Sequence, residues 1–466
     1  MGVIEELRKP NEAEIISILG KYAETLRQEH RYDTSIIAVK RALKLEPEHP
    51  GLWGSLGCSY WHYGKFEAAL EPLLKAVEGA PEECCHVGNL GLLYHSLRDY
   101  EKAEACFIKA MALAKKSRKK AARVDYLGVV WDLALMRLEI GDWERGLQGY
   151  ESRIELKAAG LYPKMPVPIW QGEPLDGKTL YLQAEQGLGD RILFSRYLQL
   201  IKDRWPTCTI KGCFNEALAD LFWEYRVLTE MLPHGIPWPD DIDYGVYQAS
   251  LPYLLGTRVD TIPLDPGYIY KRVKRQYDLG GLNLPYPRLP SLKVGIAWTG
   301  NPGQAKNHLR TIPFEKMLTL AENVNVTLYS FQVGSGSEAI KKANAEELVV
   351  DMGATLEREG FVAAGVAMLE MDLIVTVCTS TAHLAGSLGI PTWLLLSWDP
   401  YWIWLNQGDT TPWYPSIRIF RQDRPGDWDS VMNKVLAELP SLIVTPLTAD
   451  KVDPGTFYPT LERLAS

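Results

Sequence analysis

The chain has 466 residues, of which 46% are hydrophobic and 23% charged, and its formal net charge is −8. This length favours roughly three units of 100–200 residues with a sizeable apolar core. The negative charge argues against nucleic acid as the main partner, and no stretch approaches the roughly 20 apolar residues of a transmembrane helix. The seven cysteines have no zinc-type spacing. This usage predicts free thiols in a reducing compartment, so we expect a cytoplasmic protein.

A 34-residue pattern runs through residues 16 to 150. Its clearest unit, from Pro50 to Pro81, contains Trp53, Leu56, Gly57, Tyr60, Ala69, Leu73 and Ala76. Similar residues recur 34 positions before and after, and a fourth unit is displaced by nine residues. The period and offsets resemble the tetratricopeptide repeat, a pair of antiparallel helices. Such arrays commonly bind extended peptides or stack on a neighbouring domain. The basic run from Lys115 to Arg123 is interpreted as a solvated helix end and loop.

A proline-rich linker, 159–178, precedes a strand, a glycine turn and a helix. The strand is predicted at Leu180–Ala184, the turn comprises Gln186, Gly187, Leu188, Gly189 and Asp190, and the helix starts at Arg191. This order brings backbone N–H groups and one polar side chain to the mouth of an α/β sheet. Further strands are predicted at Cys208–Lys211 and Leu228–Leu232, with a helix at Glu216–Phe222. We assign 179–280 to a small first lobe and 1–158 to the repeats.

Two acidic D-x-D patterns occur, Asp241-Ile242-Asp243 and Asp427-Trp428-Asp429. Paired aspartates can bind a divalent cation. Three letters of pattern in a loop or at a helix start are weak evidence, however, so we interpret both as solvated or capping carboxylates. No metal site is predicted.

After a second linker, 281–292, strands and helices alternate through a second lobe, 293–442, followed by a tail, 443–466. Strands are predicted at Val294–Trp298, Thr327–Phe331, Leu348–Val350, Leu373–Val377, Thr392–Leu396 and Ile417–Phe420. Helices are predicted at Phe314–Glu322, Ser337–Glu346, Phe361–Met371, Ala382–Leu388 and Trp428–Leu439. Continuous apolar runs are typical of buried parallel strands, and the alternation indicates a doubly wound sheet.

Two strand ends in the second lobe have candidate chemistry. Trp298-Thr299-Gly300 is followed by Lys306, His308 and Arg310, three cationic or titratable residues beyond the carboxyl end of a strand. Thr379, Ser380 and Thr381 precede a helix that contains His383, and a helix start attracts anions. The alternatives are a mobile surface loop for the first group, and ordinary helix caps with a core histidine for the second.

In order along the chain, these motifs resemble those of bacterial tetratricopeptide proteins whose C-terminal region is similar to ADP-heptose heptosyltransferases. The motifs include Gln186–Asp190, Ile296–Pro302, Thr381–Gly389, Pro412–Pro415 and Pro425–Trp428, and the resemblance covers about Thr179 to Leu439. It implies an all-α tetratricopeptide superhelix followed by an α/β region of the GT-B type. That region would have two Rossmann-like lobes, the first of them reduced.

The resemblance also implies an inverting glycosyltransferase that needs no metal and no cofactor, with a nucleotide sugar as co-substrate. Asp190 matches the general base on the acceptor hydroxyl, and Gln186, Gly187, Leu188 and Gly189 form the acceptor-side turn. The donor would be held by Trp298, Gly300, Lys306, Arg310, Thr379, Ser380, Thr381 and His383. The repeats would recruit a protein or glycan acceptor.

One departure leaves alternatives open. Relatives commonly have an aspartate where this chain has Cys378, and a thiol cannot make a carboxylate's hydrogen bonds. A non-catalytic repeat scaffold with a degenerate transferase region is therefore the second interpretation. An epimerase on the same fold is a third, although the sequence does not single out the extra carboxylates that it needs. The aromatic group Trp398, Tyr401, Trp402 and Trp404 is interpreted as loop packing in preference to a sugar platform.

Overall fold

The computed structural model describes residues 12–117, 122–156, 164–185, 187–213, 216–222, 227–232, 239–263, 267–280, 282, 291–304 and 306–444. Contacts divide the chain into two compact units, one of Met1–Arg137 with Gly149–Leu161 and one of Leu138–Gln148 with Tyr162–Ser466. Within the described ranges, none of the helices has the length and apolar character that crossing a membrane requires.

The N-terminal part is helical. Its helices are α1 (Glu12–Gln28), α2 (Tyr32–Leu43), α3 (Pro50–His62), α4 (Phe66–Gly79), α5 (Cys84–Ser96), α6 (Tyr100–Lys116), α7 (Ala122–Glu139), α8 (Trp143–Tyr150) and α9 (Ser152–Leu156). A residue with positive φ lies in the turn of each successive pair: His30 (59°), Gly64 (79°), Arg98 (61°) and Gly141 (89°). The first three are 34 residues apart and the fourth lies nine residues beyond that register, which matches the predicted repeats.

Small residues allow the two helices of a pair to approach closely. A Cβ placed on Gly57 would lie 2.5 Å from Leu73 Cγ, and one on Gly91 would lie 2.8 Å from Phe107 Cε1. Phe107 is fully buried with Ala103. In the second and third pairs, small residues therefore lie at the close contacts between helices, and large residues fill the space beside them.

The first α/β lobe is built on a four-stranded sheet with all of its strand pairs parallel. Its elements are β1 (Thr179–Gln183), α10 (Leu188–Phe194), α11 (Tyr197–Arg204), β2 (Thr209–Cys213), α12 (Glu216–Phe222), β3 (Glu230–Leu232), β4 (Tyr244–Tyr247), α13 (Leu251–Leu254) and α14 (Tyr268–Asp278). The strand order is β3-β2-β1-β4. The chain therefore reverses direction across the sheet between β1 and β4.

The second lobe is built on a six-stranded parallel sheet. Its elements are β5 (Leu292–Ala297), α15 (Asn307–Arg310), α16 (Phe314–Leu318), β6 (Val326–Ser330), α17 (Glu338–Lys342), β7 (Val349–Asp351), α18 (Gly353–Leu369), β8 (Leu373–Val377), α19 (Ser380–Ser387), β9 (Thr392–Leu396), β10 (Ile417–Arg421) and α20 (Trp428–Val444). The strand order, β10-β9-β8-β5-β6-β7, reverses between β5 and β8. All five residues of β8 and of β9 are buried, as central parallel strands require.

The predicted fold class is confirmed: helical repeats precede two Rossmann-like parallel sheets, and the first sheet is the smaller. Several helix predictions were wrong in extent. The helix predicted from Arg191 begins at Leu188 and breaks before Tyr197. The helix predicted at Phe361–Met371 starts at Gly353 and contains a break at Gly360, where φ is 79°. That conformation is accessible to glycine and interrupts the helix without a steric penalty.

Candidate functional site

The two sheets each present a topological switch point, where a crevice opens beyond the carboxyl ends of the strands. In the first sheet it lies between β1 and β4, and in the second between β5 and β8. The glycine turn follows β1, whereas the predicted donor-binding residues follow β5 and β8. The fold therefore brings the residues singled out in the sequence to the edges at which α/β proteins bind ligands.

The glycine turn starts a helix earlier than predicted. Gly187 is the N-cap of α10, and Asp190 lies in its first turn. A Cβ placed on Gly187 would be 2.5 Å from Asp190 Oδ2, so the half-buried carboxylate folds back over the backbone of the turn. Gln186 lies outside the described residues.

A buried network that sequence reasoning missed holds this turn. The Ala249 N–H donates to Glu185 Oε1 at 3.1 Å, Gln248 Nε2 donates to the Arg191 carbonyl at 3.0 Å, and Arg191 Nε donates to the Glu185 carbonyl. The partners come from the ends of β1 and β4, some 60 positions apart in the chain. Since no local motif connects them, the sequence contained no signal for this network.

The first donor-side loop is anchored through its backbone. Gln332 Oε1 accepts hydrogen bonds from the N–H groups of Trp298 at 3.1 Å and Thr299 at 3.0 Å. The Trp298 side chain is buried in the core of the lobe, with its ring centroid 4.5 Å from that of Phe314. The Trp298 side chain is therefore part of the core at the end of β5, and a donor-binding role for this residue stays a prediction.

Arg310 links the two strand ends at the second switch point. Its Nε donates to Asn307 Oδ1 at 3.0 Å, and its Nη1 donates to the Cys378 carbonyl at 3.0 Å. Gly300 lies against the guanidinium, so that any side chain there would overlap Arg310 Nη2. The cation therefore lies where β5 and β8 diverge, as predicted from its position in the sequence.

Lys306 lies further out. Its Nζ is 2.7 Å from Asp399 Oδ2, and its side chain is 46% exposed. The neighbouring His308 is exposed as well. The charge of Lys306 is thus compensated by the Asp399 carboxylate, and its donor-binding role stays a prediction.

The hydroxyl residues after β8 lie at a helix start, as predicted. Thr379 is the N-cap of α19 and makes no side-chain capping hydrogen bond; its Oγ1 is 3.4 Å from Thr376 Oγ1. Thr379, Ser380 and Thr381 are all half-buried. A helix start of this kind, with its backbone N–H groups, is where an anion can bind.

His383 packs between the two lobes. A Cβ on Gly189 would lie 2.5 Å from His383 Cδ2, and His383 Nδ1 is 3.0 Å from the Tyr414 hydroxyl. Burial, reinforced by the charge of Arg196, lowers the pKa of His383 to about 3, so the imidazole is neutral at physiological pH. The structure places His383 among buried partners from both lobes, and its donor-binding role stays a prediction.

Arg196 makes a second connection between the lobes. Its Nη1 donates to the Trp413 carbonyl at 2.8 Å, and its guanidinium lies 4.8 Å from the centre of the Tyr414 ring. Since α10 also packs against α19, the turn that contains Asp190 is held directly against the helix start of the second lobe.

Cys378 is half-buried and is influenced by groups from both lobes. Burial raises the pKa of the Cys378 thiol; the hydrogen bond from Trp404 and the charge of Arg310 oppose that shift, and the charge of Asp190 adds to it. Trp404 Nε1 lies 3.0 Å from Cys378 Sγ. The carboxylate on one lobe and the guanidinium on the other therefore affect the ionisation of the same thiol in opposite directions.

Both D-x-D patterns are engaged in the protein, as interpreted from the sequence. Asp243 accepts from Lys178 Nζ at 2.9 Å and from the Thr179 N–H at 2.8 Å, and Asp241 pairs with Lys211 at 2.9 Å. In the second pattern, Asp427 accepts from the Ser430 N–H at 3.0 Å at the start of α20.

Among the aromatic residues, Trp402 and Trp404 are buried, in agreement with the packing interpretation. Trp398 and Tyr401 are half-buried.

Comparisons with known proteins identify the repeats. The tetratricopeptide repeat family model matches residues 88–117. Protein FlbA of Caulobacter vibrioides is 26% identical over 446 residues, which cover 89% of this chain and 71% of that protein. A glycosyl transferase family 9 structure from Veillonella parvula is 11% identical, covers 59% of this chain and 99% of its own, and has a TM-score of 0.39. An O-GlcNAc transferase mutant from Thermobaculum terrenum is 14% identical over 98% of both chains, with a TM-score of 0.33.

The family match and the sheet topology define the architecture of the protein. The chain combines tetratricopeptide-type helical repeats with an α/β region of two parallel, Rossmann-like sheets.

Proposed function

We propose that the protein is a metal-independent, inverting glycosyltransferase that moves a sugar from a nucleotide-sugar donor to a hydroxyl acceptor. The observation that carries the proposal is the contact between the turn that contains Asp190 and α19, where a Cβ on Gly189 would lie 2.5 Å from His383 Cδ2. Arg310 donates to the carbonyl of Cys378, just before the start of that helix. Glycosyl transfer needs a base on one side of the anomeric carbon and positive charge on the other. The two facing strand ends supply these groups.

Asp190 is proposed as the general base. A hydroxyl is a weak nucleophile, and a carboxylate that accepts its proton as the C–O bond forms accelerates transfer by about 10²–10⁴-fold. The network of Glu185, Gln248 and Arg191 fixes the turn from which Asp190 projects. That rigidity supports the assignment, since a base must be held at a defined distance from the acceptor.

Arg310 and the start of α19 are proposed to stabilise the departing nucleoside diphosphate. A preorganised cation and free helix N–H groups stabilise the negative charge that develops on the leaving group, and in this proposal they take the place of a metal ion. Gly300 contributes by allowing close approach, and Thr379, Ser380 and Thr381 supply hydroxyl donors. Lys306 can join them only by exchanging Asp399 for a phosphate.

The proposed acceptor is a protein or a glycan, recruited by the repeats. Tetratricopeptide arrays present extended surfaces that suit a flexible polypeptide. The repeats at 88–117 are the part of the chain that a family model matches, and this match supports protein interaction as their role.

A non-catalytic scaffold is the competing proposal. Cys378 favours it, because burial raises the pKa of its thiol and a thiol cannot accept the hydrogen bonds of the carboxylate that the resemblance implies at this position. Under this proposal the α/β region has kept its fold but no longer binds a nucleotide-sugar donor.

Ligand-dependent thermal stability separates the two proposals. A bound nucleotide stabilises the folded state by RT ln(1 + [L]/Kd), about 2.7 kcal/mol at 100 Kd. We expect at least one nucleoside diphosphate or nucleotide sugar to raise the Tm, and Arg310→Gln to weaken that response. Arg204→Gln, at the exposed end of α11, is the matched control. If none of a full panel of nucleotides shifts the wild-type Tm, the scaffold is the better account.

A further inference from the structure

Residues 401 to 408, which we term the Trp404 loop, have a strained backbone next to the proposed site. Leu405 has φ 55° and ψ 176°, a combination that residues with a Cβ rarely adopt. Such a conformation persists only where the surrounding structure determines it. The contacts that hold Leu405 therefore indicate what the loop is for.

Arg421, at the end of β10, holds the loop through its carbonyl groups. Its Nη2 donates to the Trp404 carbonyl at 2.7 Å and to the Gln407 carbonyl at 3.2 Å. Its Nη1 donates to the Leu405 carbonyl at 3.0 Å, and its Nε donates to the Gly408 carbonyl at 2.8 Å. One planar guanidinium thus fixes four carbonyls, which a flexible ammonium group cannot reproduce.

The side chain fixed in this way is Trp404. It is fully buried, its Nε1 lies 3.0 Å from Cys378 Sγ, and its ring centroid lies 5.3 Å from that of His383. Cys378 is the residue whose carbonyl accepts from Arg310. The conformation of the Trp404 loop therefore sets the packing behind the end of β8 and the start of α19.

Trp143 supports the loop from the fourth helix pair. It belongs to the segment Leu138–Gln148, whose contacts place it in the α/β unit. The Trp143 ring stacks on Trp413 at 5.5 Å and meets Trp402 edge-on at 5.8 Å. Close by, the Asn406 N–H donates to the Glu139 carbonyl at 3.2 Å.

We propose that the Trp404 loop positions the donor-side residues of the site, and that Trp143 is a positioning residue supplied by the segment Leu138–Gln148. The inference rests on the proposed glycosyltransferase function. It adds that this segment is a required part of the transferase site. Strain at Leu405, the Arg421 contacts and the Trp143 stack act together, so loss of either support lets the loop relax and Trp404 withdraw from Cys378.

The test compares Trp143→Ala with Trp131→Ala in the full chain. Trp131 belongs to the same helix pair and stacks on Tyr150 at 4.7 Å, so its removal costs a similar aromatic contact within the repeats. The readouts are donor KM and kcat, and amide hydrogen exchange of residues 401 to 408. We expect Trp143→Ala to lower kcat/KM for the donor by about 10- to 100-fold, as for displaced catalytic groups. We expect Trp143→Phe to recover most of that loss and Trp131→Ala to have no such effect.

Hydrogen exchange distinguishes failure of the positioning role of Trp143 from failure of the proposed glycosyltransferase function. In Trp143→Ala the loop amides should exchange at least about tenfold faster, equivalent to about 1.4 kcal/mol of local stability, whether or not a donor has been found. Unchanged exchange in the loop would overturn the inference even if the enzyme is active. An inactive wild type with faster loop exchange would overturn the proposed function alone. If Trp143→Ala does not fold, Arg421→Gln tests the same loop from the other side and should show the same two changes.

Discussion

Replacing Gly189 with alanine tests the contact between the two lobes. The new Cβ would lie 2.5 Å from Cδ2, 3.1 Å from Nε2 and 3.4 Å from Cγ of His383. The imidazole cannot move away easily, because its Nδ1 is hydrogen-bonded to the Tyr414 hydroxyl and its ring packs against Trp404. Either the turn or the histidine must shift. Inserting a methyl group into such a contact costs about 1–3 kcal/mol.

The assay is thermal or urea unfolding of the full chain, followed by nucleotide-dependent stabilisation. A loss of 1 kcal/mol lowers the Tm of a domain of 150–250 residues by about 2–4 °C. Gly128→Ala is the control: no atom lies within 4 Å of its added Cβ, and in the interior of α7 alanine should stabilise by up to about 1 kcal/mol.

A double-mutant cycle identifies the cause. In a His383→Ala background the clash disappears, so Gly189→Ala should lose most of its cost, and the coupling should be about 1 kcal/mol or more. A Gly189→Ala variant as stable as the wild type would refute the predicted clash. An equal loss of stability on Gly189→Ala in the wild-type and His383→Ala backgrounds would also refute it, because the glycine turn would then not contact His383.

Three further predictions concern the repeats, His383 and the metal requirement. Arg98→Gly should stabilise the chain by about 1 kcal/mol and Gly64→Ala should destabilise it by a similar amount, since both positions have positive φ. The urea midpoints of the two variants should therefore shift by equal amounts in opposite directions. Midpoints unchanged in both variants would contradict the turn geometry. Because the pKa of His383 is lowered from 6.5 to about 3, the unfolded chain binds the extra proton. Stability should therefore fall as pH drops from about 6.5 towards 3, and His383→Gln should remove that part of the slope in pH-dependent melting. Transferase activity should survive EDTA, and loss of activity that Mg²⁺ or Mn²⁺ restores would exclude the proposed role of Arg310 as the metal's substitute.

Much of the fold was predictable because its determinants are local. The repeat offsets predicted helix pairs at a spacing of 34 residues, and the turns at His30, Gly64 and Arg98 have that spacing in the structure. The apolar runs Leu373–Val377 and Thr392–Leu396 coincide with β8 and β9. Buried parallel strands show themselves as continuous apolar segments.

Other elements were not predictable because distant parts of the chain determine them. Among the described side chains of α14, Ile269 and Val273 are the buried apolar residues, and Val273 packs against the position of Gly365 in α18. Its mostly polar sequence gave too weak a helical pattern to assign before that partner was known. The first part of α18 was missed for a different reason. Gly360 interrupts the helix, so the sequence before it resembles a loop.

At the site, the position of a residue in the chain predicted where it lies in the fold, but the sequence did not predict which side chains are buried. Arg310 lies at the switch point as expected, because strand order is encoded in the alternation of elements. Trp298 and His383 were chosen as chemically capable residues after strands, yet both are buried among partners from other elements. Glu185, Gln248 and Arg421 were missed, since their hydrogen bonds join segments that only the tertiary structure brings together.

The central claim is that Asp190 acts as the base for sugar transfer, and a direct measurement compares Asp190→Asn with Asp203→Asn. Asp203 is an exposed aspartate in the same lobe whose carboxylate accepts from Gln199 at 2.7 Å. With a donor identified by thermal shift, product formation should fall by about 10²–10⁴-fold in Asp190→Asn. Donor-dependent stabilisation should persist in that variant, and Asp203→Asn should match the wild type. Transfer by Asp190→Asn at the wild-type rate would contradict the account.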